Sequence, residues 1–450
     1  MTRQLEYLTL EVGSIITKAN GFVKNADGIL EHVAQGYAPT TIAQGNVGRG
    51  IFAAVEELEK SSSYGTDTCE VFANSSAAGG LLVTVHGLTY DLTAKAVNEA
   101  CRGTGAVIKK ITSGDLSEYD IDEIEEINPK LIVLAGGVDF ASKETILNNA
   151  LKLSAMDIGA PVVYAGNSAL RRAVENIFHR TGIEIATLEN IFQEVDKFNV
   201  KNLSMRLRNL FFKHIIHAPG IERLKALSNH TIISTPQAVL RAAEIFTEIA
   251  GNALIVDVGG ATTDVISAIK GSNTSVDADA NSTMHLKQTI EGDLGVFATA
   301  QNIIEISNEA SRKNKTNEIV AIPITRSQKE MTQWLCSKAA ELSINRHITC
   351  ASDIFIPSVQ KCSVTHEDFS SIKYIIGTGG ALAKNESAKD ILSSVCIGAE
   401  KYSVSLDSAQ ILIDSDYLFS ALGTISVDYP ELVRNTLKCW REKNDKLFTI

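Results

Sequence analysis

Two widely separated stretches of the chain share one plan: a strand, a carboxylate, a glycine turn and a second strand. Residues 252–271 read NALIVDVGGATTDVISAIKG, in which an apolar run leads into Asp257 and then a pair of glycines. Residues 8–18 read LTLEVGSIITK, in which Glu11 precedes a Gly-Ser turn. A tight glycine turn lets backbone N–H groups point outward, where they can bind an anion with no side chain in the way. The repeat therefore predicts two hairpins that could hold the same phosphates from both sides.

The carboxylates at the strand ends suggest what such turns could do. A carboxylate beside bound phosphates could hold Mg²⁺ through water or orient the water that attacks the terminal phosphate. The alternative is a pair of ordinary β-hairpins, in which Asp257 caps its turn and Glu11 is a surface residue. One glycine turn alone does not separate the two interpretations, and the repetition favours the phosphate site.

A third stretch, YIIGTGGALA at 374–383, predicts a buried strand that runs through a glycine turn into a helix. Small residues there let a flat ring or a ribose approach the backbone, and a helix N-terminus favours negative charge. The stretch is not a dinucleotide fingerprint, because the last glycine of GxGxxG would fall at Leu382. The chain has no GxxxxGK phosphate loop either.

Charge and cysteine usage exclude several classes of protein. The 450 residues carry a net charge of −11 and no conspicuous run of Lys or Arg, so nucleic acid is not an expected partner. The seven cysteines are scattered without a CxxC pair, which indicates reduced thiols of a cytosolic protein. Without a signal peptide or a stretch of ~18 apolar residues, we expect no membrane association and a cytoplasmic location.

Apolar runs alternate with helical patterns along most of the chain, which predicts α/β architecture. Runs suited to buried strands occur at 5–12, 80–85, 131–134, 161–164, 253–258, 265–269 and 374–376. The clearest helix start is Ser234-Thr235-Pro236, a hydroxyl cap followed by proline, and this helix should stop at Gly251. Residues 171–230 differ, because their pattern is mostly helical with interspersed charges.

The three glycine turns, in this order, resemble the phosphate-1, phosphate-2 and adenosine segments of the superfamily of actin, sugar kinases and DnaK-type chaperones. Within it, the chain resembles the MutL/GlmL family, whose members accompany glutamate mutase and related adenosylcobalamin-dependent aminomutases. This family is distinct from the mismatch-repair protein that shares the name MutL. The stretches that carry the resemblance are SSAAGGL (75–81), LAGGVD (134–139), PVVYAGN (161–167), TPQAVL (235–240), DVGGATTDV (257–265), EGDLG (291–295) and GTGGAL (377–382).

The resemblance implies an α/β actin-like ATPase fold, in which two ribonuclease-H-like domains hold a nucleotide in the cleft between them. We expect the first domain at 1–170 and a mostly helical connection or insertion at 171–230. The second is expected at 231–400, with a helical insertion at about 295–350. Residues 401–450 are expected to form a C-terminal segment that packs back on the first domain.

The resemblance also assigns roles to residues. ATP or ADP with Mg²⁺ is the implied ligand, Asp257 and Glu11 are the implied catalytic acids, and the same two acids are expected to hold Mg²⁺ through water. The residues expected to bind the nucleotide are Gly13, Ser14, Thr17 and Lys18 in the first turn, Gly259, Gly260, Thr262 and Thr263 in the second, and Gly377, Gly379 and Gly380 in the third. The chain departs from the family at Glu11, where Asp is usual, and at Ile15, where a hydroxyl residue is usual. Nucleotide binding is therefore a firmer expectation than rapid turnover.

The implied function is that of an ATP-dependent reactivating factor, which loosens a stalled adenosylcobalamin-dependent mutase so that intact cofactor replaces damaged cobalamin. The chain lacks the DxHxxG segment that binds cobalamin, because Ile215 stands where its Asp is needed, so this cofactor belongs to the partner. A small-molecule kinase or an actin-like filament protein would use the same three turns. The sequence leaves open which mutase is the client, whether a second subunit is needed and what the oligomeric state is.

Other polar residues carry weaker signals. His214 and His217 lie three apart on an expected helix without an acidic or thiol partner at ligand spacing, so we expect no metal there. His86 is expected at a strand end. We interpret Asp293 in EGDLG as a helix cap ahead of Gly295, an alternative to ligand contact. Asp139 follows a buried strand, where ligand sites of α/β proteins cluster, so it remains a candidate functional residue.

Overall fold

The computed structural model describes residues 3–136, 139, 143–194, 197–217, 219–270, 284–349, 369–398, 406 and 409–446. The chain divides into two compact units. The first unit is discontinuous and comprises 1–79 and 212–450, whereas the second is the continuous stretch 80–211. The LAGGVD stretch lies partly outside the described residues.

The elements alternate as the sequence predicts. The strands are β1 (Arg3–Gln4), β2 (Tyr7–Val12), β3 (Ile16–Lys24), β4 (Leu30–Pro39), β5 (Tyr64–Gly65), β6 (Glu70–Ser75), β7 (Leu81–Gly87), β8 (Ala106–Ser113), β9 (Leu131–Leu134), β10 (Val162–Tyr164), β11 (Ile185–Thr187), β12 (Phe192–Glu194), β13 (Lys197–Phe198), β14 (Ile233–Ser234), β15 (Ala253–Val258), β16 (Thr263–Lys270), β17 (Met284–Glu291), β18 (Tyr374–Thr378) and β19 (Gln410–Ile413). The α-helices are α1 (Gly48–Ser61), α2 (Tyr90–Cys101), α3 (Glu118–Ile127), α4 (Glu144–Ser154), α5 (Arg171–Thr181), α6 (Lys201–Ile215), α7 (Ile221–Leu227), α8 (Thr235–Ala250), α9 (Ala300–Ser307), α10 (Ala310–Lys313), α11 (Arg326–Thr349), α12 (Gly380–Ala383), α13 (Ala388–Gly398), α14 (Leu418–Ile425) and α15 (Pro430–Lys446).

The first unit contains two five-stranded sheets of the same topology. Their strand orders are β4-β3-β2-β6-β14 and β17-β16-β15-β18-β19. In each, the first three strands in sequence form an antiparallel meander, and the last two add in parallel beside the first strand. This 3-2-1-4-5 order is that of a ribonuclease-H-like domain. The predicted fold class, an actin-like ATPase fold with two such domains, is confirmed.

Two helices, α8 and α14, join the two sheets into one core. The same apolar cluster contains Phe22 and Phe72 from the first sheet and Ile255 and Ile376 from the second, together with buried residues of both helices. Helix α8 starts as predicted, because the Ser234 side chain accepts the N–H of Gln237 and forms a capping box. On the outer faces, α1 covers the first sheet, and α9, α11 and α13 cover the second.

The C-terminal segment returns to this core. Strand β19 completes the second sheet, and α15 packs against α8. The N–H of Leu30, at the start of β4, donates to Thr436 Oγ1 on α15 at 2.9 Å. Helices α9 to α11 occupy the stretch for which the helical insertion was expected.

The second unit is a separate α/β sheet that the sequence did not reveal. Its five strands are all parallel in the order β8-β7-β9-β10-β11, a doubly wound 2-1-3-4-5 arrangement. One face of the sheet packs on α3, α4 and α5 through an apolar cluster that includes Ile124, Ile146 and Phe178. The expected boundary at 170 therefore falls inside this unit, and 171–211 is part of it rather than a helical connection. Short buried strands look alike in both kinds of sheet, which is why their sequence did not separate them.

No helix in the described part of the chain is long and apolar enough to cross a membrane.

Candidate functional site

The first glycine hairpin joins β2 to β3. The N–H of Gly13 donates to the carbonyl of Ile16 at 3.1 Å, which closes the turn and leaves the N–H groups of Ser14 and Ile15 at its tip. Glu11 and Lys18 face each other across the two strands. Their side chains form a buried ion pair, with Lys18 Nζ 2.5 Å from Glu11 Oε1.

The second hairpin, between β15 and β16, repeats this geometry. The N–H of Gly259 donates to the carbonyl of Thr262 at 2.9 Å, and Asp257 pairs with Asp264 across the strands. The tips of the two hairpins touch, because a Cβ atom on Gly260 would lie 1.9 Å from Cδ1 of Ile15. Ile15, where the family usually has a hydroxyl residue, therefore fills the space between the two turns.

The third turn follows β18, which lies beside β15 in the same sheet. Gly379 has φ of +85°, a conformation that favours glycine, and it precedes the short helix α12. Thr378 Oγ1 donates to Asp414 Oδ2 at 3.0 Å. Asp414 is fully buried and accepts the N–H groups of Leu418 and Phe419 at the start of α14.

The three turns open onto one cavity of about 580 Å³ in the first unit. Its walls also include parts of α8, of α11 and the stretch before it, and of the segments that follow α12 and β19. The lining residues are Glu11, Gly13, Ser14, Ile15, Ile16, Lys18, Ser76, Thr235, Pro236, Asp257, Gly259, Gly260, Ala261, Thr262, Asp264, Val296, Val320, Ala321, Ile322, Pro323, Lys329, Thr332, Gln333, Thr378, Gly379, Gly380, Ala381, Lys384, Asn385, Glu386, Ser387, Tyr417 and Ser420.

Most of the residues predicted to bind a nucleotide or a metal line this cavity, and three do not. Thr17 is buried and bonds Thr40, and Thr263 is buried and donates to the carbonyl of Leu294. Both alternate along a strand with residues that do face the cavity, so their side chains point to the opposite side of the sheet. Gly377 packs against the side chains of Leu392 and Ile413.

The carboxylates of the site repel one another in a poorly solvated environment. Burial is the main cause that raises the pKa of Asp257 to about 7; Lys18 opposes this rise, and Glu11 and Asp414 add to it. Burial likewise raises the pKa of Asp414 to about 6, although three hydrogen bonds favour its charged form. An added cation beside Asp257 would relieve this repulsion.

Glu11 is less available than Asp257 to a ligand. One of its carboxylate oxygens pairs with Lys18, and the other accepts a hydrogen bond from Ser420 Oγ. Asp257 instead keeps a partly accessible surface toward the cavity. The two acids that were assigned equal roles therefore lie in different environments.

The residues fit a Mg²⁺ ion that keeps most of its water. Asp257 would supply an oxygen ligand, and Glu11 and Asp414 add negative charge nearby. Within the described chain, no group of three or more acidic, His or Cys side chains could form a closed metal cage. Mg²⁺ is commonly held by one or two carboxylates, water and substrate phosphates, which agrees with such an open site.

Several lining residues escaped the sequence analysis. Tyr417 and Ser420 come from the C-terminal segment, far from the glycine turns in sequence, and Lys384 follows the third turn. Ser76 belongs to the SSAAGGL stretch, for which no role was predicted. In the sequence, the only feature that could have identified Ser76 was its position after a strand, and no feature identified Tyr417.

The remaining candidates have mainly structural partners. Asp293 does not cap a helix, because α9 begins only at Ala300; it forms a bidentate pair with Arg346, which also binds Glu291. In the second unit, Asp139 accepts the N–H of Ser168 and Nδ2 of Asn190, both at 2.8 Å.

Two histidines that were considered in the sequence, His86 and His217, have partners within the protein. His86 lies in β7 and bonds the hydroxyls of Thr84 and Thr112, and burial lowers its pKa to about 3. His217 follows α6 and bonds the carbonyl of Lys213. No metal-binding group that includes either histidine occurs among the residues with described positions.

Comparison with known proteins decides the family. The family model described as MutL protein matches residues 7–440. The chain belongs to the MutL protein family. A family member, Protein MutL of Clostridium tetanomorphum, is 30% identical over 457 aligned positions, which cover 96% of this chain and 98% of that protein.

Solved structures show weaker likenesses. The nucleotide-free structure of acetone carboxylase is 11% identical, with a TM-score of 0.37. The alignment covers 95% of this chain and 71% of the acetone carboxylase chain. The nucleotide-free diol dehydratase-reactivating factor is 9% identical, with a TM-score of 0.37. The alignment covers 94% of this chain and 100% of that protein chain. Neither TM-score reaches 0.5, so the fold of this MutL family member is assigned from its strand order alone.

Proposed function

We propose that the protein binds ATP and ADP in the cavity of its first unit and hydrolyses ATP there. The observation that carries the proposal is the convergence of two glycine hairpins and a third glycine turn on that cavity, with Asp257 at its edge. The residues proposed to contact the nucleotide are Gly13, Ser14, Lys18, Gly259, Gly260, Thr262, Gly379 and Gly380. Thr17, Thr263 and Gly377 are left out, because their side chains or Cα atoms face away from the cavity.

The phosphates would bind between the two hairpin tips. Each turn uses one N–H to close itself, at Gly13 and at Gly259, so the other N–H groups of the tips are available to phosphate oxygens. Hydrogen bonds to a charged group contribute roughly 1.5–3 kcal/mol each, and a few such donors are enough to hold a triphosphate. The adenosine would then lie over Gly379 and Gly380, where no Cβ obstructs a flat ring.

Asp257 is the proposed catalytic carboxylate and acts as a general base. Its partly accessible carboxylate lies at the edge of the cavity, and its pKa near 7 allows it to accept a proton from the attacking water at neutral pH. Bound Mg²⁺ would neutralise charge on the phosphates and lower the pKa of Asp257, which keeps the carboxylate ionised. Glu11 is held by Lys18 and Ser420, so its proposed role is to position the ammonium of Lys18 beside the first turn.

The proposed client is an adenosylcobalamin-dependent mutase, glutamate mutase or a related aminomutase. Support comes from membership of the MutL family, taken together with the implied role of that family as a reactivating factor. The nucleotide state would set the spacing of the two sheets that α8 and α14 join, and thereby the affinity for the mutase. Shifting such an equilibrium from mostly one state to mostly the other takes about 5.5 kcal/mol of differential binding.

The test is ATP hydrolysis by the purified protein with Mg²⁺, measured with and without an aminomutase inactivated by damaged cobalamin, while mutase activity is followed. ATP-dependent recovery of the mutase is expected, and Asp257→Ala should abolish both hydrolysis and recovery while ADP still binds. Phosphorylation of a metabolite would favour a kinase instead, and ATP-induced sedimentation as polymer would favour a filament protein. ADP binding without recovery of any aminomutase would contradict the proposed client and leave the nucleotide site standing.

A further inference from the structure

Lys18 is fixed on two sides by residues that are far apart in sequence. On one side its ammonium contacts Glu11 Oε1 at 2.5 Å. On the other side it lies over the ring of Tyr417, 3.9 Å from the ring centroid, which is a cation–π contact. The Lys18 side chain keeps only 8% of its surface accessible.

Tyr417, which contacts Lys18, has an unusual backbone conformation. Its φ of 58° and ψ of 35° lie in the left-handed region, which a bulky residue rarely adopts outside strained or functional sites. The N–H of Tyr417 donates to the carbonyl of Asp414, and the residue immediately precedes α14. The ring of Tyr417 therefore lies in the cavity wall although its backbone conformation is energetically unfavourable for a tyrosine.

The same short segment contacts two of the nucleotide turns. At its start, the N–H of Asp414 donates to the carbonyl of Gly377, and its carboxylate accepts the hydroxyl of Thr378. At its end, Ser420 Oγ donates to Glu11. Residues 414–420 thus connect the turn after β18 with the acid of the first hairpin.

We propose that Tyr417 is a positioning residue of the ATP site: its ring holds Lys18 against Glu11, so that Lys18 acts as a fixed positive charge near Asp257 and the bound phosphates. The proposal rests on the proposed function, because it assigns Tyr417 a role in ATP hydrolysis. Removal of the ring frees the ammonium and weakens its effect on Asp257. Hydrolysis should then fall, while the backbone turns that bind ADP are unchanged.

The test compares Tyr417→Leu, which removes the ring, with Tyr417→Phe, which retains it. Both substitutes have a Cβ atom, so both meet the same backbone constraint at this position. In the full-length protein, the reactivity of Lys18 toward reductive dimethylation is measured by mass spectrometry without nucleotide. Because the cation–π contact is desolvated, its loss should raise labelling of Lys18 about tenfold or more in Tyr417→Leu, and labelling should return close to the original level in Tyr417→Phe.

Hydrolysis supplies the second readout. The rate constant for ATP cleavage should fall about tenfold in Tyr417→Leu and be largely restored in Tyr417→Phe, while the Kd for ADP changes less than about threefold in both. Tyr119→Leu in the second unit is a matched control, because Tyr119 also lies near a lysine, Lys110, with 5.7 Å between ammonium and ring centroid.

The outcomes separate this proposal from the proposed function. Equal Lys18 labelling in Tyr417→Leu and Tyr417→Phe would overturn the positioning role, whatever the protein does to ATP. A rise in Lys18 labelling specific to Tyr417→Leu, in a protein that does not hydrolyse ATP, would keep the contact and overturn both the proposed ATPase activity and the role of Tyr417 in it. Hydrolysis that falls equally in both variants would also overturn the proposal, because the hydroxyl rather than the ring would then be required.

Discussion

The Cα atom of Gly379 lies directly against the carboxylate of Asp257. A Cβ atom added at Gly379 would come within 2.2 Å of Asp257 Oδ1 and 2.6 Å of the carbonyl oxygen of Val258. Gly379 follows β18, and Asp257 belongs to the neighbouring strand β15. The turn after β18 therefore fits against Asp257 only if its residue 379 lacks a side chain. The glycine is therefore required for the position of Asp257 as well as for access to the cavity.

This contact predicts different effects for two adjacent glycines. Gly379→Ala should destabilise the protein by about 1–3 kcal/mol from backbone conformation alone, and by more from the clash with Asp257. Gly380→Ala meets no atom within 4 Å, so its stability should change by less than about 0.5 kcal/mol. Urea unfolding measures both. Because Gly380 lines the cavity, ADP affinity should nevertheless fall in Gly380→Ala; unchanged ADP binding would place the adenosine elsewhere.

The contact between Ile15 and Gly260 predicts coupling between the two hairpins. Gly260→Ala should push Ile15 away and separate the tips, which lowers affinity for ATP. Ile15→Ala in the same chain should restore affinity, because it removes the atoms that a new Cβ would meet. The expected interaction energy in a double-mutant cycle for ATP binding is about 1 kcal/mol. Strictly additive effects would show that the tips do not touch in the nucleotide-bound protein.

The raised pKa of Asp257 predicts how stability depends on pH. In the folded protein this carboxyl has a pKa of about 7, whereas its ordinary value is 3.8. As pH rises from about 4 to 7, the unfolded chain loses its proton first, so the free energy of unfolding decreases. Asp257→Asn removes this loss, so it should raise Tm most above pH 7 and least near pH 4.

Thermal unfolding between pH 4 and 8.5 measures this effect, and each unit of pKa shift corresponds to about 1.4 kcal/mol. The exposed Asp67 offers a control, because Asp67→Asn removes a carboxylate that lies in water. A Tm difference between Asp257→Asn and the original protein that stays constant with pH would contradict the raised pKa. The raised pKa of Asp414 also lowers the free energy of unfolding as pH rises toward about 6. This decrease occurs in both proteins.

Nucleotide and metal should change the pKa of Asp257 in opposite directions. Phosphates bound without metal add negative charge and raise the pKa of Asp257, so ADP binding at pH 7.5 should take up protons. With Mg²⁺ present the pKa falls, and binding should release protons. Calorimetry in buffers of different ionisation enthalpy gives the number of protons, and Asp257→Asn supplies the contribution of other groups. Identical proton counts in the two proteins would exclude Asp257 from the site.

Local features of the fold were predictable from the sequence. Strands β15 and β9 have the predicted bounds, and α8 begins and ends where its Ser-Thr-Pro start and Gly251 indicate. A hairpin or a capped helix is determined by residues that are close in the chain, so its pattern is complete in a short window. The glycine turns of the site were found for the same reason.

The partners of the site residues were not predictable in this way. Ser420 lies 409 positions from the Glu11 carboxylate to which it donates. The left-handed backbone of Tyr417 has no signal in its sequence, because glycine or asparagine is usual there. The second unit was missed because the sequences of its buried strands resemble those of the strands in the first unit.

The contact between Leu30 and Thr436 has a consequence for the order in which the chain can fold during synthesis. The 132-residue stretch 80–211 is contiguous, so its sheet can form as soon as that stretch has left the ribosome. The first unit cannot be completed then, because β4 meets α15 and its core needs residues from both ends of the chain. A nascent chain that stops before α14 would expose the apolar residues of the first sheet. We therefore expect the nucleotide cavity to be the last part of the molecule to form, and only full-length chains to bind ADP.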